Sequence, residues 1–422
     1  MNYQSALEFL QKSAALGSRP GLERLMKLLP LCNHPEEKLK FVHVAGTNGK
    51  GSTCMMISSI LNKAGYRVGL FTSPYLEDVT EQIRINGEII SNEDFSKACH
   101  TVAKAAALME PDMLLTEFEL LTAIAFVYFN EKHCDIVILE AGMGGLLDAT
   151  NVIPTCEVAV LTNIGMDHMQ YLGDTIEAIT KNKAGIIKPK AHVVSYELDK
   201  DAEQVVRSIC NDKNAPLVIA SFQEIQIYEE HLSMQKFSYK DYKDISLPLI
   251  GEHQRRNAAV ALETIEVLNQ LGYKIPKEAV YRGMFHVSWP GRFEILFKKP
   301  LVVLDGGHNP QCITEATKVL QQYVPNKKII FVVGVMADKD YKTMMKCLMP
   351  MAKEFHTVTV NHSRTLSSEA LASTIHDLGG ISYAADSIEE GVMSALNMAK
   401  TEDVICILGS LYMVSDVKKC FI

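Results

Sequence analysis

A glycine-rich turn that contains one lysine lies near the start of the chain, within FVHVAGTNGKGSTCMMISSILNKAG (41–65). Polyphosphate needs several backbone amides to converge on it. Only residues without a side chain, here Gly46, Gly49 and Gly51, let the backbone come that close. The Lys50 ammonium would add a point charge for the β- and γ-phosphates. A helix that begins near Lys50 would direct its positive end at the same anion. The segment therefore predicts a loop that binds the phosphates of a nucleotide.

The spacing of this loop differs from the common G-x-x-x-x-G-K-[ST] pattern. Val44 stands where the first glycine would be, and Gly51 separates Lys50 from Ser52. A glycine-rich turn between a strand and a helix is by itself more often a simple turn. The lysine within it, together with the hydroxyls of Ser52 and Thr53, favours nucleotide binding. We interpret the segment as a variant phosphate loop.

A carboxylate and a histidine follow two other predicted strands. Glu140 closes DIVIL (135–139), and Asp167 and His168 come after EVAVLTNIG. In an open parallel sheet, ligands gather at the carboxyl ends of the strands. A carboxylate one strand from a phosphate loop commonly holds Mg²⁺, which prefers oxygen ligands. Taken singly, Glu140 could be a capping or salt-bridge residue and His168 a structural one. Their joint position beside the loop favours a metal site.

Short β-branched runs alternate with longer amphipathic stretches along the chain. That alternation is typical of an α/β fold with a largely parallel sheet. A second series of such runs begins near residue 300, and each run is followed by a segment of helix length, which predicts another open α/β unit. The predicted strands are 41–45, 67–71, 135–139, 157–161 and 192–196 in the first series, and 301–305, 329–334, 357–360 and 404–408 in the second.

The segment between the two series has a different pattern. The apolar periodicity of residues 257–271 predicts a helix that ends at Gly272, and Pro276 opens the next helix. Residues 222–248 are polar and irregular, which predicts short strands and turns without a recognisable motif.

The run VSWPGRF (287–293) contains the single tryptophan, a proline and a glycine, and is typical of a connection between domains. We place the boundary near Pro290. The chain is thus predicted to be α/β, with a P-loop domain built on a largely parallel sheet over residues 1–290. A smaller, Rossmann-like C-terminal domain is predicted over residues 291–422.

Composition excludes several classes of protein. Among 422 residues, 47% are hydrophobic, and 42 Lys and Arg against 50 Asp and Glu give a net charge of −8. This balance argues against a broad surface for nucleic acid or for an anionic membrane. The ten cysteines are scattered without CxxC spacing, and no long apolar run suggests a signal peptide or a membrane span. We expect a cytoplasmic protein in a reducing compartment, with no nucleic-acid or membrane partner.

Ten segments together resemble the Mur ligase superfamily, and within it folylpolyglutamate synthase, including the bifunctional dihydrofolate synthase form. The resemblance implies an ATP-dependent ligase that adds L-glutamate to folate or dihydropteroate through an acyl phosphate, and it implies a monomer. The segments are HVAGTNGKGST (43–53), LFTSPYL (70–76), EQIRINGE (81–88), EAGMGGLLDATN (140–151), NIGMDHMQYLG (163–173), KNKAGIIK (181–188), GEHQRRNAAVAL (251–262), WPGRFE (289–294), LDGGHNP (304–310) and ILGSLYMVSDV (407–417).

The resemblance also implies roles for individual residues. Lys183 is similar to a lysine that the family carbamylates to bridge a second Mg²⁺; otherwise it would be an exposed helix lysine. The segment that holds His308 would otherwise be a plain turn at a strand end. The implied catalytic residues are Lys50, Lys183 and His308. The implied magnesium ligands are Ser73, Glu140 and His168. The implied ATP-binding residues are Gly49, Lys50, Gly51, Ser52, Asn257, Arg292 and Asp305, with Asn257 at the adenine.

Four positions depart from the family's pattern: Tyr75 and Gly307 replace His and Ala, and Gln82 and Leu146 replace Arg. The missing cation at Leu146 leaves the identity of the bound acid more open than the ATP chemistry.

Other functions remain alternatives. A peptidoglycan-precursor ligase would carry a further domain ahead of the loop, and only 45 residues precede Gly46. A P-loop ATPase or GTPase that acts as a switch or motor is the second alternative. The guanine-specifying N-K-x-D motif is missing, because Asn182 and Lys183 are followed by Ala-Gly, and the predicted second α/β domain argues against this class. A nucleotide-binding regulator without ligase activity is the third alternative.

Overall fold

The structure is a computed structural model that describes residues 1–14 and 16–421. The chain divides into two compact units, and the second takes two short segments from within the first part of the chain. The first unit comprises residues 1–228, 236–246 and 255–287, and the second comprises residues 229–235, 247–254 and 288–422.

The first unit contains an eight-stranded sheet of order β4-β3-β2-β5-β1-β6-β7-β8. The strands from β2 to β8 in this order pair in parallel, and β3 and β4 are antiparallel additions at one edge. The strands are β1 (Phe41–Ala45), β2 (Val68–Phe71), β3 (Ile83–Ile85), β4 (Glu88–Ile89), β5 (Ile136–Glu140), β6 (Val158–Leu161), β7 (His192–Ser195) and β8 (Leu217–Ile219).

Helices connect the parallel strands and cover the sheet. Strand β1 is buried at all five positions, because helices pack on both faces of a parallel sheet and leave it no polar side. The helices are α1 (Tyr3–Ala14), α2 (Glu23–Leu31), α3 (Lys50–Lys63), α4 (Asn92–Ala106), α5 (Glu117–Glu131), α6 (Met169–Leu172), α7 (Ile176–Lys183) and α8 (Lys200–Asp212).

The five strands predicted between residues 41 and 196 are confirmed within one residue at each end. The segment 222–248 forms short strands, as expected, but they join into a regular three-stranded sheet of order β11-β10-β9. These strands are β9 (Ile225–His231), β10 (Met234–Tyr239) and β11 (Tyr242–Leu247).

Two helices follow this small sheet, α9 (Glu252–Gln270) and α10 (Lys277–Phe285). Helix α9 begins five residues before the predicted start at 257, whereas the predicted opening of the next helix at Pro276 is confirmed. Helix α10 packs closely on α3, because a Cβ at Gly283 would lie 2.5 Å from the Ile60 Cα. The Ser59 hydroxyl also donates to the Gly283 carbonyl at 2.8 Å. Helix α3, which follows the phosphate loop, is therefore held in place by α10.

The second unit contains a six-stranded sheet of order β12-β13-β17-β14-β15-β16, in which only β12 is antiparallel. Its strands are β12 (Glu294–Lys298), β13 (Leu301–Leu304), β14 (Ile329–Val333), β15 (Ala352–Thr357), β16 (Ser382–Ala384) and β17 (Val404–Leu408). Its helices are α11 (Pro310–Tyr323), α12 (Tyr341–Leu348), α13 (Ser368–Asp377), α14 (Ile388–Met398) and α15 (Val414–Lys419).

One predicted strand in this unit is wrong. The β-branched run 357–360 begins at the last residue of the strand, because β15 is Ala352–Thr357. Glu354 and His356 are buried on β15, so its sequence lacks the apolar pattern of a core strand. Val358 and Val360 are buried just beyond its end, which explains why they resemble a strand in the sequence.

Within residues 1–14 and 16–421, no helix combines the length and the apolar character needed to cross a membrane. All ten cysteines are free thiols.

Candidate active site

The phosphate loop follows the central strand β1 and leads into α3, as the sequence predicts. Gly49 precedes the helix with a left-handed φ of 84°, and the helix begins at Lys50. The residues after β6 hold the loop from one side: the Thr47 amide donates to the Asn163 carbonyl at 2.7 Å. The Thr162 hydroxyl donates to the Asn48 carbonyl at 2.8 Å. These hydrogen bonds fix the loop against the segment that follows β6.

Two glycines of the loop are required by close contacts. A Cβ at Gly46 would lie 1.8 Å from the Thr162 Oγ1, and a Cβ at Gly49 would lie 2.4 Å from the Asn257 Oδ1. Both distances are far below van der Waals contact. Asn257 is 2% exposed and lies on α9, so the structure brings this predicted nucleotide contact against the loop.

Two lysine ammonium groups converge on one carbonyl of the loop. Lys50 Nζ donates to the Gly46 carbonyl at 3.2 Å and to the Thr47 carbonyl at 3.3 Å. Lys183 Nζ donates to the same Gly46 carbonyl at 2.8 Å. Lys183 is 3% exposed, so the alternative of an exposed helix lysine is wrong. These ammonium groups place positive charge at the glycine turn, which favours the binding of a polyphosphate.

Glu140 lies one strand from the loop. It ends β5 and pairs in register with Val44 of β1, and it is 4% exposed. Its Oε2 accepts a hydrogen bond from the Ser73 amide at 3.2 Å, so two of the predicted magnesium ligands are adjacent. A buried carboxylate at this edge is a hard oxygen donor, which fits Mg²⁺.

His168 lies in the loop after β6 with a left-handed φ of 51°. Its Nε2 is 3.9 Å from Asp167 Oδ2, and its side chain is about one-third exposed. Among the described residues, Glu140, Asp167 and His168 do not bring their donor atoms within 4.8 Å as a set of three. An imidazole nitrogen is also a less usual ligand for a hard cation.

A buried polar chain supports the loop that follows Glu140. Asp148 accepts hydrogen bonds from the Met143 amide at 2.8 Å and from the Thr150 hydroxyl at 2.5 Å. Because the Thr150 proton points to Asp148, the His43 Nε2 donates to Thr150 Oγ1 at 2.8 Å. Burial raises the pKa of Asp148, and burial lowers the pKa of His43 to about 3, with a smaller effect from Lys188. His43 is therefore a neutral core residue, as expected from its position inside the strand.

The same loop is packed against the end of α7. Asn182 Oδ1 accepts from the Gly145 amide at 3.1 Å, and the Asn182 carbonyl accepts from the Leu146 amide at 2.8 Å. A Cβ at Gly185 would lie 2.5 Å from the Leu146 Cα. Leu146 itself is 46% exposed, so an apolar side chain faces outward where the resemblance implied a cation.

In the second unit, the predicted nucleotide contacts form one cluster at the carboxyl end of β13. Asp305 accepts from the Phe293 amide at 2.9 Å and from the Gly307 amide at 2.8 Å. The His308 ring donates from Nδ1 to the Gly306 carbonyl at 3.1 Å. Arg292 is adjacent, since a Cβ at Gly306 would lie 3.0 Å from its Nη1.

Thr162, Asn182 and Asp148 support the first-unit site and were not predicted from the sequence. Thr162 and Asn182 act through long-range contacts, and neither residue type is distinctive. Asp148 precedes Ala-Thr in the manner of a helix cap, and the hydrogen bond from the Thr150 amide confirms this local role. The helix-cap pattern at Asp148 was therefore the one sequence signal that could have identified any of these three residues.

Two families match the chain. The Mur ligase middle domain matches residues 44–265, and the Mur ligase, glutamate ligase domain matches residues 291–411. Dihydrofolate synthase/folylpolyglutamate synthase of Bacillus subtilis is 37% identical over 99% of this chain and 98% of that protein. Folylpolyglutamate synthase of Lacticaseibacillus casei is 33% identical over 99% of this chain and 98% of that protein.

Solved structures agree with these matches. Mycobacterium tuberculosis folylpolyglutamate synthase complexed with ADP and AMPPCP superposes with a TM-score of 0.91 and 28% identity, over 100% of this chain and 99% of that one. E. coli FolC in complex with DHPP and ADP gives a TM-score of 0.88 and 28% identity, over 99% of this chain and 97% of that chain. With a phosphate loop of the expected geometry and matches over nearly its whole length, the chain belongs to the Mur ligase family, among the folylpolyglutamate and dihydrofolate synthases.

Proposed function

We propose that this protein is an ATP-dependent ligase that forms an amide between L-glutamate and a folate-type carboxylate. The glycine turn with Lys50 carries the proposal, because Lys50 Nζ donates to the Gly46 and Thr47 carbonyls and places a positive charge at a turn whose amides can bind a polyphosphate. The relatives named as folylpolyglutamate or dihydrofolate synthases support the substrate class. One solved relative binds DHPP and ADP, which supports a pterin acid and ATP as substrates here.

A carboxylate is a poor acylating agent because its leaving group would be an oxide. In the proposed reaction, an oxygen of the substrate carboxylate attacks the γ-phosphorus of ATP, and ADP leaves. Lys50 and the amides of the loop neutralise charge on the phosphoryl group during transfer. The glutamate amine then attacks the acyl carbon, phosphate leaves, and the amine loses a proton to give the amide. The protein supplies position and charge, with no covalent enzyme intermediate.

The donors at the carboxyl edge of the sheet would hold Mg²⁺ during this reaction. Glu140 and Ser73 are the adjacent pair, and His168 is the third predicted ligand. A bound Mg²⁺ would neutralise phosphate charge and orient the oxygens. Lys183 would offer a carbamate for a second ion, after its neutral amine had added CO₂ and released a proton. The buried position of Lys183 at the loop supports this role.

Further residues are proposed to bind the nucleotide. Asn257 would contact the adenine, and Arg292 and Asp305 would bind ATP. His308 would lie on the side of the site that binds the nucleotide and would act there. The support is that Arg292, Asp305 and His308 cluster around one glycine turn.

A labelled-glutamate assay tests the proposal. The protein is incubated with ATP, Mg²⁺ and labelled L-glutamate, and dihydropteroate and tetrahydrofolate are offered separately. We expect labelled amide product and ADP release that require both the pterin acid and glutamate. ADP release without either substrate would indicate an ATPase and contradict the proposal. The same assay decides between the two acids, and size-exclusion chromatography with light scattering tests the proposed monomer. A cytoplasmic location likewise stays a prediction.

A further inference from the structure

A second group of possible metal ligands lies in the turn between α2 and β1. His34, Glu36 and Glu37 bring one donor atom each within 4.8 Å of one another. Within residues 1–14 and 16–421, this is the only set of three or more His, Cys, Asp or Glu side chains that does so. The turn precedes β1, whereas the phosphate loop follows it. The five residues of β1 span about 16 Å, so the two places lie at opposite edges of the sheet.

The distances within this cluster suit a tetrahedral ion. His34 Nδ1 lies 3.2 Å from Glu36 Oε1 and 3.4 Å from Glu37 Oε1. Two ligands bound to zinc at about 2.0–2.1 Å in tetrahedral geometry are themselves about 3.3 Å apart. A single Nδ1 proton cannot point at both carboxylates, whereas one cation in front of Nδ1 would contact all three groups.

The burial of Glu36 is an independent sign that a cation belongs here. Glu36 is 6% exposed, and its Oε2 is inaccessible to solvent and has no hydrogen-bond partner among the described residues. Its other oxygen faces His34, so the carboxylate points into the cluster. Burying a carboxylate with one unpartnered oxygen is costly, and a cation bound at Oε1 would neutralise its charge and offset part of that cost.

We propose that His34, Glu36 and Glu37 form a binding site for a divalent transition-metal ion, with zinc as the best match. Imidazole nitrogen with two carboxylates is a ligand set that suits zinc, and water would complete the tetrahedron. The site serves stability and not catalysis, because it lies at the edge of the sheet away from the phosphate loop. Glu36 belongs to the short 3₁₀ turn Pro35–Lys38, so the ion would fix the entry into the central strand.

A zinc titration of the metal-free full-length protein tests this site. The titration is done by calorimetry with excess Mg²⁺ present, so that the proposed magnesium ligands are occupied. His34→Gln and Glu37→Gln change the two more accessible ligands, whose side chains are 45% and 59% exposed, and should fold normally. His231→Gln is the matched control, because its Nε2 lies 3.8 Å from Glu229 Oε2 in an exposed pair. In the part of the chain that the structure describes, this pair does not belong to a set of three possible metal ligands.

The wild-type protein and His231→Gln should bind one zinc ion saturably, and zinc should raise their Tm. His34→Gln and Glu37→Gln should each weaken this binding by at least about tenfold. Co²⁺ in place of zinc should give the absorption of a four-coordinate ion only where zinc binds. Absence of saturable binding by the wild type would overturn the proposal, since His34 would then be only a partner of two carboxylates. Unchanged zinc affinity in His34→Gln would overturn it equally.

Discussion

Replacement of Gly49 by alanine should separate the nucleotide-binding role of the phosphate loop from the ordinary cost of its backbone conformation. Gly49 has φ of +84°, and Gly65, beyond the end of α3, has φ of +92°. A Cβ at Gly65 would meet nothing within 4 Å, whereas a Cβ at Gly49 would lie 2.4 Å from Asn257 Oδ1. Gly65→Ala is therefore a matched control that carries the backbone cost alone.

The magnitudes follow from these contacts. The left-handed conformation should cost either alanine about 1–2 kcal/mol of unfolding free energy. In Gly49→Ala, the Asn257 side chain must also move by about 1 Å, which adds about 1–3 kcal/mol. The total is about 2–5 kcal/mol for Gly49→Ala. Asn257→Ala in the same chain removes the clashing amide, so the double variant should regain most of the added cost.

The assays are urea unfolding for stability and calorimetry for binding of a non-hydrolysable ATP analogue. Gly65→Ala should bind the analogue as the wild type does, and Gly49→Ala should bind it at least about tenfold more weakly, which is 1.4 kcal/mol. Equal affinity of Gly49→Ala and wild type would refute the placement of nucleotide at this loop. An additive double-mutant cycle would refute the proposed clash with Asn257.

Three further predictions concern single side chains. Lys50→Ala should lower kcat by at least about a hundredfold, near 3 kcal/mol in the barrier, because the transferring phosphoryl loses a cation; near-normal turnover of the folded variant would contradict this. Glu140→Gln should raise the Mg²⁺ concentration for half-maximal activity by at least about tenfold, and an unchanged Mg²⁺ titration would remove Glu140 from the site. His43 has a pKa of about 3 in the folded protein and about 6.5 when unfolded. The unfolded chain therefore gains the proton first as pH falls, and stability is lost below about pH 6.5. Between pH 7 and pH 5 the wild type should lose about 2 kcal/mol more than His43→Gln, measured by urea unfolding, and parallel pH profiles would contradict the buried neutral imidazole.

The parts of the molecule that depend on local sequence were predicted well. The order of strand, glycine turn and helix around Lys50 is a local pattern, and β-branched runs between helices indicate a parallel sheet. Strand β15 was misplaced because Glu354 and His356 are buried within it, against the usual preference of such residues for solvent. The local pattern of polar and apolar residues cannot show that the surrounding fold buries Glu354 and His356.

The supporting contacts of the site could not be predicted, because they join residues far apart in the chain. Lys183 meets the Gly46 carbonyl across 137 positions, so its burial is a consequence of the fold and not of the helix that carries it. Thr162 and Asn182 fix the two loops through hydrogen bonds to backbone atoms of other segments. Such contacts leave no pattern in a single sequence.

An oxygen-transfer experiment tests the central claim most directly. The pterin acid is labelled with oxygen-18 in the carboxylate that receives glutamate, and the phosphate released during a few turnovers is analysed by mass spectrometry. Transfer of the γ-phosphoryl group to that carboxylate predicts that one labelled oxygen appears in each phosphate produced. Amide product accompanied by unlabelled phosphate would mean that ATP is hydrolysed by water and that no acyl phosphate forms.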